Sequence, residues 1–451
     1  MPDVRSACSA LGIILALAAA PASAQSLSDA YAAALRQDPD HTAAAAERDA
    51  AQENEALARV LFRPKAQVQG NAGYSRVTAD MDDTSSTLLD QVDGLSGGVL
   101  VGVEQPIISG EARAQQRQLR AGARAGDAQY EASRQQLALR VAQAYFDVLR
   151  AKDTLASLTA QEESARREQR AAQARFDAGW AKITDVREAQ ARGDGVAAQI
   201  VSARAQSELA VSRFRELTGF DGGELHLVRS ELSPAPPIRP LPDWQDEAEA
   251  QAPVIHARRE QLAANEATVD QYRWSSQVQV TARGAYGQTW RGGNEAALLG
   301  VITPPGRVGG FFAGLQAKIP LYTGGALEAQ RRQATSQAAS GRARLDAARR
   351  DVRLQVEQAW LGQRSSAERA AALRTALASA ELQERAALTG REVGVRTQSD
   401  VLAAQAQTFE ISRQLNDALY SYEYSRVALA AVAGVLTPDT LAEIDRDLTP
   451  R

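Results

Sequence analysis

The sequence offers few side chains suited to catalysis or to metal binding. Its one cysteine is Cys8, and its three histidines are His41, His226 and His256. Metal centres built from cysteine and histidine need several such ligands at short, regular spacing, and these residues are too few and too scattered to supply them. The glycine-rich string 94–98 precedes a predicted strand and lacks the strand–loop–helix context of a phosphate-binding loop. We therefore expect no enzyme activity, no metal site and no cofactor.

The overall composition narrows the class of protein further. The chain of 451 residues carries 51 basic and 55 acidic side chains, a net charge of -4. This balance gives no electrostatic reason to expect a nucleic-acid partner. Hydrophobic residues make up 44% of the chain and aromatic residues only 5%. Alanine supplies much of the apolar content, which favours long helices over a bulky core.

The N-terminal residues 1–24 have the pattern of a secretory signal peptide. Arg5 precedes an apolar run at 10–20, and the small residues 22–24 fit a cleavage site. The mature chain would then begin at Gln25. Cys8 lies before the apolar run, so it is not placed to accept a lipid. No later segment approaches the ~20 apolar residues of a membrane helix, so we expect an exported protein without membrane-spanning helices.

An internal repeat runs through the chain. Residues 176–186 resemble residues 391–401, an offset of 215, and other matched segments follow in the same order. These other matches are 141–145 with 356–360, 106–110 with 320–324, and 38–39 with 252–253. A proline-rich linker at 233–242 cannot be helical and separates the two copies. The predicted boundaries are repeat 1 at 25–232, repeat 2 at 243–440 and a C-terminal tail at 441–451.

Each repeat contains two segments in which apolar and polar residues alternate. The predicted strands are 65–77, 97–106, 276–288 and 310–320. Strands of about ten residues with a period of two are typical of transmembrane β-barrels. Four strands cannot close a barrel, and an open sheet edge is not tolerated in lipid. The barrel must therefore be shared: two copies would supply eight strands and three copies twelve.

The remainder of each repeat is predicted to be helical. No proline interrupts 109–178, and apolar residues recur inside it at a 4-3-4-3 spacing typical of coiled coils. This seam consists of Leu137, Val141, Ala144, Val148, Ala151, Leu155 and Leu158. At 1.5 Å per residue, this helix would be ~100 Å long, equal to the two flanking helices end to end. The flanking helices are 27–62 and 183–218, and repeat 2 gives the same sum with 325–389 against 243–274 and 398–433. We predict an α+β membrane protein. In each repeat, one long helix packs beside two shorter helices, and a β-hairpin lies at one end of this helical rod.

In each repeat, one short turn joins the long helix to the helix that follows it. Gly179 and Gly394 occupy equivalent positions in these turns, and glycine readily adopts the left-handed conformation that ends a helix. The next helix would be capped by Thr184 or Asp185 in repeat 1, and by Ser399 or Asp400 in repeat 2. Each of these residues thus has a purely structural interpretation beside any functional one.

With its doubled helix–strand–strand–helix plan and these two turns, the chain resembles the TolC family of outer-membrane efflux and type I secretion proteins. Residues 183–186, and residues 392–397 followed by Asp400-Val401-Leu402, are similar to the family's two helix-turn-helix tips. The resemblance implies a homotrimer whose twelve strands form one β-barrel in the outer membrane of a Gram-negative bacterium. The long antiparallel coiled-coil helices would form a tunnel across the periplasm.

The family resemblance also implies a function and partners. The duct would be recruited by a periplasmic adaptor (membrane fusion) protein and an inner-membrane transporter of the ABC or resistance-nodulation-division type. Drugs or secreted proteins would leave the cell through it in one step. The turn residues Gly179, Trp180, Gly394 and Val395 would contact the adaptor. Trp180 has an alternative interpretation as a packing residue at the end of a coiled coil.

The same resemblance suggests which residues close the periplasmic aperture. In the family, an aspartate at the position of Asp185 pairs with a tyrosine and an arginine on the other tip. Arg396 matches the arginine, whereas Arg391 stands in place of the tyrosine. Asp400 matches the first of two successive constricting aspartates, and the second position is Ala403. We therefore predict a gate of Asp185, Arg391 and Arg396, and a single acidic ring formed by Asp400 that would favour cations.

Two other classes of protein remain as alternatives. A passive outer-membrane channel or porin would share the strands, but it does not need ~100 Å of coiled coil. A periplasmic coiled-coil adaptor would share the helices, but it does not explain two pairs of membrane-type strands. Membrane fractionation separates the adaptor from the other two, and resting conductance separates a closed duct from a porin.

Overall fold

The computed structural model describes residues 25–78, 91–222, 225–229, 231–292, 296–298, 301–303 and 306–449. The predicted signal peptide at 1–24 lies outside the described residues. The helices are α1 Leu27–Gln37, α2 Pro39–Val60, α3 Gly110–Asp177, α4 Ile183–Thr218, α5 Leu241–Gln251, α6 Pro253–Trp274, α7 Ala326–Glu392, α8 Gln398–Val432 and α9 Pro438–Asp445. The strands are β1 Lys65–Thr78, β2 Gln91–Ile108, β3 Leu227–Val228, β4 Gln279–Arg291, β5 Ala296–Leu298, β6 Val301–Thr303, β7 Gly306–Lys318 and β8 Leu448–Thr449.

The first helix of each repeat is broken by a proline. We expected continuous helices at 27–62 and 243–274, and this was wrong in both repeats. Asp38 and Ala252 adopt extended backbone conformations, and Pro39 and Pro253 begin the next helices. A residue that precedes proline is sterically disfavoured in the α conformation, which accounts for both breaks.

The four long strands form one antiparallel sheet in the order β1-β2-β4-β7. The two predicted hairpins are therefore joined, because β2 pairs with β4. β2 also begins earlier than expected: the string 94–98, predicted to be a loop, lies within the strand and pairs with residues 71–75. Glycine fits there because a Cβ at Gly97 would lie 2.5 Å from the ring of Trp290, its neighbour on β4.

The register gives the sheet two different faces. One cross-strand row consists of Val68, Val101, Tyr286 and Phe311, and further apolar residues share its face. These further residues are Val99, Val103, Ala313 and Leu315. The opposite face carries mainly polar side chains, namely Lys65, Gln67, Gln69, Glu104, Arg283 and Gln316, and Arg283 lies 3.6 Å from Glu104. The apolar side chains of the first face are exposed in the single chain.

The chain divides into two compact units, and the sheet belongs to the one formed by 43–133 and 251–352. In this unit, glycines at equivalent repeat positions let the short helices approach the long ones. A Cβ at Gly126 of α3 would lie 2.3 Å from that of Ala51 on α2. A Cβ at Gly341 of α7 would lie 3.3 Å from Leu262 on α6. The two glycines are 215 residues apart, so both repeats use the same device.

The other unit comprises the described residues within 25–42, 134–250 and 353–449. Its largest hydrophobic cluster centres on Tyr145, Phe146 and Phe214, which are fully buried. The hydroxyl of Tyr145 donates to the carbonyl oxygens of Gln25 and His226, at 3.0 and 2.9 Å. In repeat 2 the equivalent residue is Trp360, and its indole N–H also donates to a backbone carbonyl oxygen, that of Arg239.

The C-terminal segment is part of this unit rather than a tail. α9 packs on α1, and the carboxylate of Asp445 accepts hydrogen bonds from the backbone N–H groups of Leu27 and Ser28, at 2.9 and 3.1 Å. β8 pairs with β3. The expected tail at 441–451 is thus replaced by a helix and a strand over its described residues. Among the described helices, none is both long enough and apolar enough to cross a membrane.

Candidate functional site: the helix-turn-helix tips

The first tip joins α3 to α4 through a left-handed glycine. Gly179 has φ +81°, and its N–H donates to the carbonyl oxygen of Phe176 at 2.8 Å. The N–H of Trp180 donates to the carbonyl oxygen of Arg175 at 2.8 Å. These bonds satisfy carbonyl groups of the last turn of α3. The Trp180 side chain is 85% exposed, so its role within this chain is not packing.

The second tip joins α7 to α8 with the same geometry. Gly394 has φ +79°, and the N–H of Val395 donates to the carbonyl oxygen of Gly390 at 2.8 Å. Apart from the glycine and its two chain neighbours, no atom of the described residues lies within 4 Å of a Cβ placed on Gly179 or on Gly394. The backbone angle, and not crowding, therefore requires glycine at both turns. Val393 and Val395 are 70% and 75% exposed, so each tip presents apolar side chains to solvent.

Asp185 does not cap α4. The N-cap is Lys182, which makes no side-chain capping bond, and the prediction of Thr184 or Asp185 as the cap was wrong. Asp185 lies in the first helical turn, where a negative charge is favourable. Its carboxylate accepts a hydrogen bond from Thr184 Oγ1 at 3.3 Å. Over the described part of this chain, no ion pair joins Asp185 to either predicted arginine, so the gate stays a prediction about assembled subunits.

Asp400 belongs to a capping box at the start of α8. The N-cap is Thr397, and not Ser399 or Asp400 as predicted. Thr397 Oγ1 accepts from the N–H of Asp400 at 3.1 Å, and the Asp400 carboxylate accepts from the N–H of Thr397 at 2.8 Å. The backbone bond from Thr397, followed by its hydroxyl and the charge of Arg396, holds the pKa of Asp400 below its ordinary value. The carboxylate is therefore ionised at neutral pH, as a lumen charge would need to be.

Arg396 lies against the end of α7. Its N–H donates to the carbonyl oxygen of Gly390 at 3.1 Å, and a Cβ on Gly390 would lie 2.7 Å from Arg396 Cγ. The side chain thus packs over the last turn of α7, and its positive charge helps to lower the pKa of Asp400.

Arg391 has a partner that the sequence analysis missed. Its Nη1 donates to the carboxylate of Glu168 on α3, and lies 3.2 Å from Gln398 Oε1 on α8. Gln398 Nε2 donates to Glu168 at 2.8 Å, and Arg175 Nη2 donates to Gln398 Oε1 at 3.1 Å. We call these four side chains the tip clamp. The sequence did contain a signal for these two side chains. Glu168 and Arg175 lie three residues after Ala165 and Ala172, which are buried, and therefore on the buried face of α3.

This chain combines a four-stranded sheet that has one apolar face with helices as long as 68 residues. This combination is the architecture of a class of outer-membrane channel proteins. The structure of the Campylobacter jejuni CmeC outer membrane channel has the same fold, with a TM-score of 0.76 at 18% identity over 94% of this chain and 89% of that one. The chain belongs to the outer membrane efflux protein family, whose model matches residues 30–220 and 244–435. It is accordingly an efflux protein of the outer membrane with a helical part in the periplasm.

Two curated relatives match along nearly the whole chain. The outer membrane protein TolC of Vibrio cholerae is 28% identical over 430 residues, 94% of each chain. The alkaline protease secretion protein AprF of Pseudomonas aeruginosa is 28% identical over 433 residues, 94% of this chain and 88% of AprF. These similarities confirm the family-level prediction and the outer-membrane location made from the sequence.

Proposed function

We propose that the protein is the exit duct of a tripartite export system, and that three copies share one twelve-stranded barrel. The observation that carries this proposal is the sheet, in which β1 and β7 are edge strands and one face is apolar. In lipid, each unpaired backbone group costs several kcal/mol. Pairing β7 of one subunit with β1 of the next removes every open edge and places the polar face around a lumen.

The tips are the proposed periplasmic end of the duct. A periplasmic adaptor would dock on the exposed apolar side chains of Trp180, Val393 and Val395, since rigid exposed apolar groups at a turn are suited to a partner surface. The adaptor would connect the duct to an inner-membrane transporter of the ABC or resistance-nodulation-division type. AprF is named for protease secretion and the matching family model for efflux, so secreted proteins and drugs are both proposed as cargo.

The oligomeric state in detergent tests the shared barrel. The purified full-length protein should form a stable trimer in mild detergent, measured by native mass spectrometry or light scattering. A well-folded monomer under these conditions would contradict the shared barrel. Resting conductance in a planar bilayer should be low, whereas a passive porin would conduct freely.

A further inference from the structure

The apolar face of the four-stranded sheet ends in exposed side chains where the strands meet the helices. A bulge in β2 places Ile108 opposite Val280, which pairs with Ala317 on β7. Ile108 therefore continues the apolar face to the helical end of the sheet, and it is exposed. Beyond the end of β7, Leu321 and Tyr322 are 93% and 88% exposed, more than any large apolar side chain in the described strands. The helical end of the apolar face is thus uncovered in the single chain.

Arginines without an acidic partner lie at the same end of the sheet. Arg63 precedes β1 by two residues, Arg113 lies in the first turn of α3, and Arg331 and Arg332 lie in the first two turns of α7. All four are exposed, and none forms an ion pair with a carboxylate of the described residues. We call the whole group the junction collar; its members are Ile108, Leu321, Tyr322, Arg63, Arg113, Arg331 and Arg332.

Most carboxylates at this level of the chain are already paired. Asp270 lies 2.7 Å from Arg117, and Glu104 lies 3.6 Å from Arg283. Glu328, in the first turn of α7, is exposed and forms no ion pair within the described residues. One unpaired carboxylate therefore stands against the four arginines of the junction collar, which leaves an excess of positive charge at its surface.

The spacing of the junction collar matches the layers of a bilayer surface. At 1.5 Å per residue, Arg113 and Arg332 lie about 5 and 9 Å into their helices. A lipid headgroup layer is about 5–8 Å thick on each side of the hydrocarbon core, and a long arginine side chain can reach back into it. Tyrosine is favoured at the boundary between hydrocarbon and headgroups. The apolar members are therefore suited to the edge of the hydrocarbon core, and the arginines to the headgroups.

We propose that the junction collar binds the phosphate groups of anionic phospholipids, in the membrane leaflet on the helical side of the sheet. This inference rests on the proposed barrel, which places the apolar face of the sheet in lipid. A guanidinium group can hold a phosphate through two parallel hydrogen bonds. An anionic headgroup also neutralises the excess positive charge, whereas a zwitterionic headgroup brings a cation of its own. Leu321 and Tyr322 insert at the boundary of the hydrocarbon core beside the bound headgroups.

The experiment measures which lipids the purified full-length protein retains. Phosphatidylglycerol and phosphatidylcholine are added in equal amounts to the protein in detergent, and the bound lipids are counted by native mass spectrometry. The wild type should retain phosphatidylglycerol preferentially. Arg331→Gln combined with Arg332→Gln should lower this preference at least about fivefold, because one arginine near an anionic lipid surface contributes about that factor. Higher salt should weaken the wild-type preference, since it screens exposed charges.

Arg344→Gln combined with Arg350→Gln is the matched control. Both arginines are exposed on α7 and form no ion pair with a described carboxylate, but they lie about 27 and 36 Å into the helix. This variant removes the same charge from the same helix and should keep the wild-type preference. An unchanged preference in Arg331→Gln with Arg332→Gln, or an equal loss in the two double variants, would overturn the proposal.

A fluorescent label tests whether lipid or a second copy of the chain covers the apolar members. Cys8 is the only cysteine of the sequence, so Leu321→Cys in a chain with Cys8→Ser can be labelled at one position. In vesicles of phosphatidylglycerol and phosphatidylcholine, lipids that carry a nitroxide should quench this label. A label that such lipids do not quench would show that a neighbouring subunit covers Leu321, and would overturn the insertion of the collar into lipid.

These measurements separate failure of the lipid site from failure of the duct, because lipid retention and quenching need no conductance. If the wild type conducted as freely as a porin while the arginine variants lost lipid selectivity as expected, the duct proposal would fail and the lipid site would stand. If the protein formed trimers of low resting conductance but retained the two lipids equally, the lipid site alone would be overturned.

Discussion

Glu423 is a fully buried carboxyl on α8, in the middle of the unit that contains the hydrophobic cluster. One of its oxygens accepts from Arg426 Nη1 at 2.8 Å, and Arg426 also lies 2.5 Å from Asp447. Its other oxygen, Oε1, has no hydrogen-bond partner among the described residues. Burial, which outweighs the attraction of Arg426, raises the pKa of Glu423 to about 7. The group therefore titrates within the range of external pH that a periplasm meets.

The protonated carboxyl fits the folded state better than the ionised one. Because the pKa in the fold lies above the ordinary 4.5, the stabilisation is complete below about pH 4.5 and is lost as pH rises through about 7. We expect the wild-type Tm to fall between pH 5 and pH 8. Glu423→Gln should flatten this dependence and stabilise the protein at pH 8 by about 2–3 kcal/mol. The exposed Glu443→Gln is the control, and an unchanged pH slope in Glu423→Gln would contradict the assignment.

The predicted gate is tested with a double substitution. Asp185→Ala combined with Arg396→Ser should raise resting conductance in a bilayer and make cells more sensitive to large antibiotics. Each charged hydrogen bond lost between the two tips should weaken closure by about 1.5–3 kcal/mol. Unchanged single-channel conductance in intact trimers would show that Asp185 serves only the first turn of α4.

At the scale of the element, α8 begins with a cap that also carries the proposed lumen charge. Asp400→Asn retains a side-chain acceptor for the N–H of Thr397 and removes the charge, so it should lower cation preference and reduce the Tm slightly. Thr397→Ala removes the N-cap, and should cost about 1 kcal/mol without altering selectivity. Reversal potentials in a salt gradient give the selectivity. Equal selectivity in Asp400→Asn and wild type would leave Asp400 with a capping role alone.

β7 provides a matched pair of neighbouring positions on opposite faces of the sheet. Leu315 is 74% exposed on the apolar face, and Gln316 follows it on the polar face. In the proposed barrel, Leu315→Arg should cost about 2–4 kcal/mol per subunit near the middle of the bilayer, and Gln316→Arg should be tolerated. The amount of oligomer in outer-membrane fractions measures both. Equal amounts for the two variants would contradict the assignment of the lipid-facing side.

An element was predictable from the sequence when the pattern that produces it lies within one short segment of the chain. Period-two alternation and proline-free, alanine-rich segments are local patterns, so the strands and long helices were predictable. The breaks at Asp38 and Ala252 also have a local cause, because a proline follows each of them, so these two breaks were predictable but were not predicted. The glycines of β2 are poor strand formers taken alone, but Trp290 covers Gly97 from the adjacent strand. Glu168 and Arg391 are 223 residues apart, so spacing alone could not pair them.

At the scale of the whole molecule, the two repeats share a plan but not their tips. Gly126 and Gly341 each let a short helix approach a long one. Tyr145 and Trp360 each donate a hydrogen bond from an aromatic side chain to a backbone carbonyl oxygen. Only the second tip has a capping box, and only it supplies Arg391 and Gln398 to the clamp. The two tips therefore differ in how they are attached to the rest of the chain, although the two repeats share one plan.

The hydrogen bonds between Asp445 of α9 and the first residues of α1 join the two ends of the described chain. The acceptor for Leu27 lies 418 residues further along the chain, so a polypeptide that emerges N-terminus first cannot complete this helix start until it is almost fully delivered. During translocation the leading segment must travel unfinished, with its apolar side open to misassembly. A chain that ends before α9 would therefore leave the first N–H groups of α1 without this acceptor.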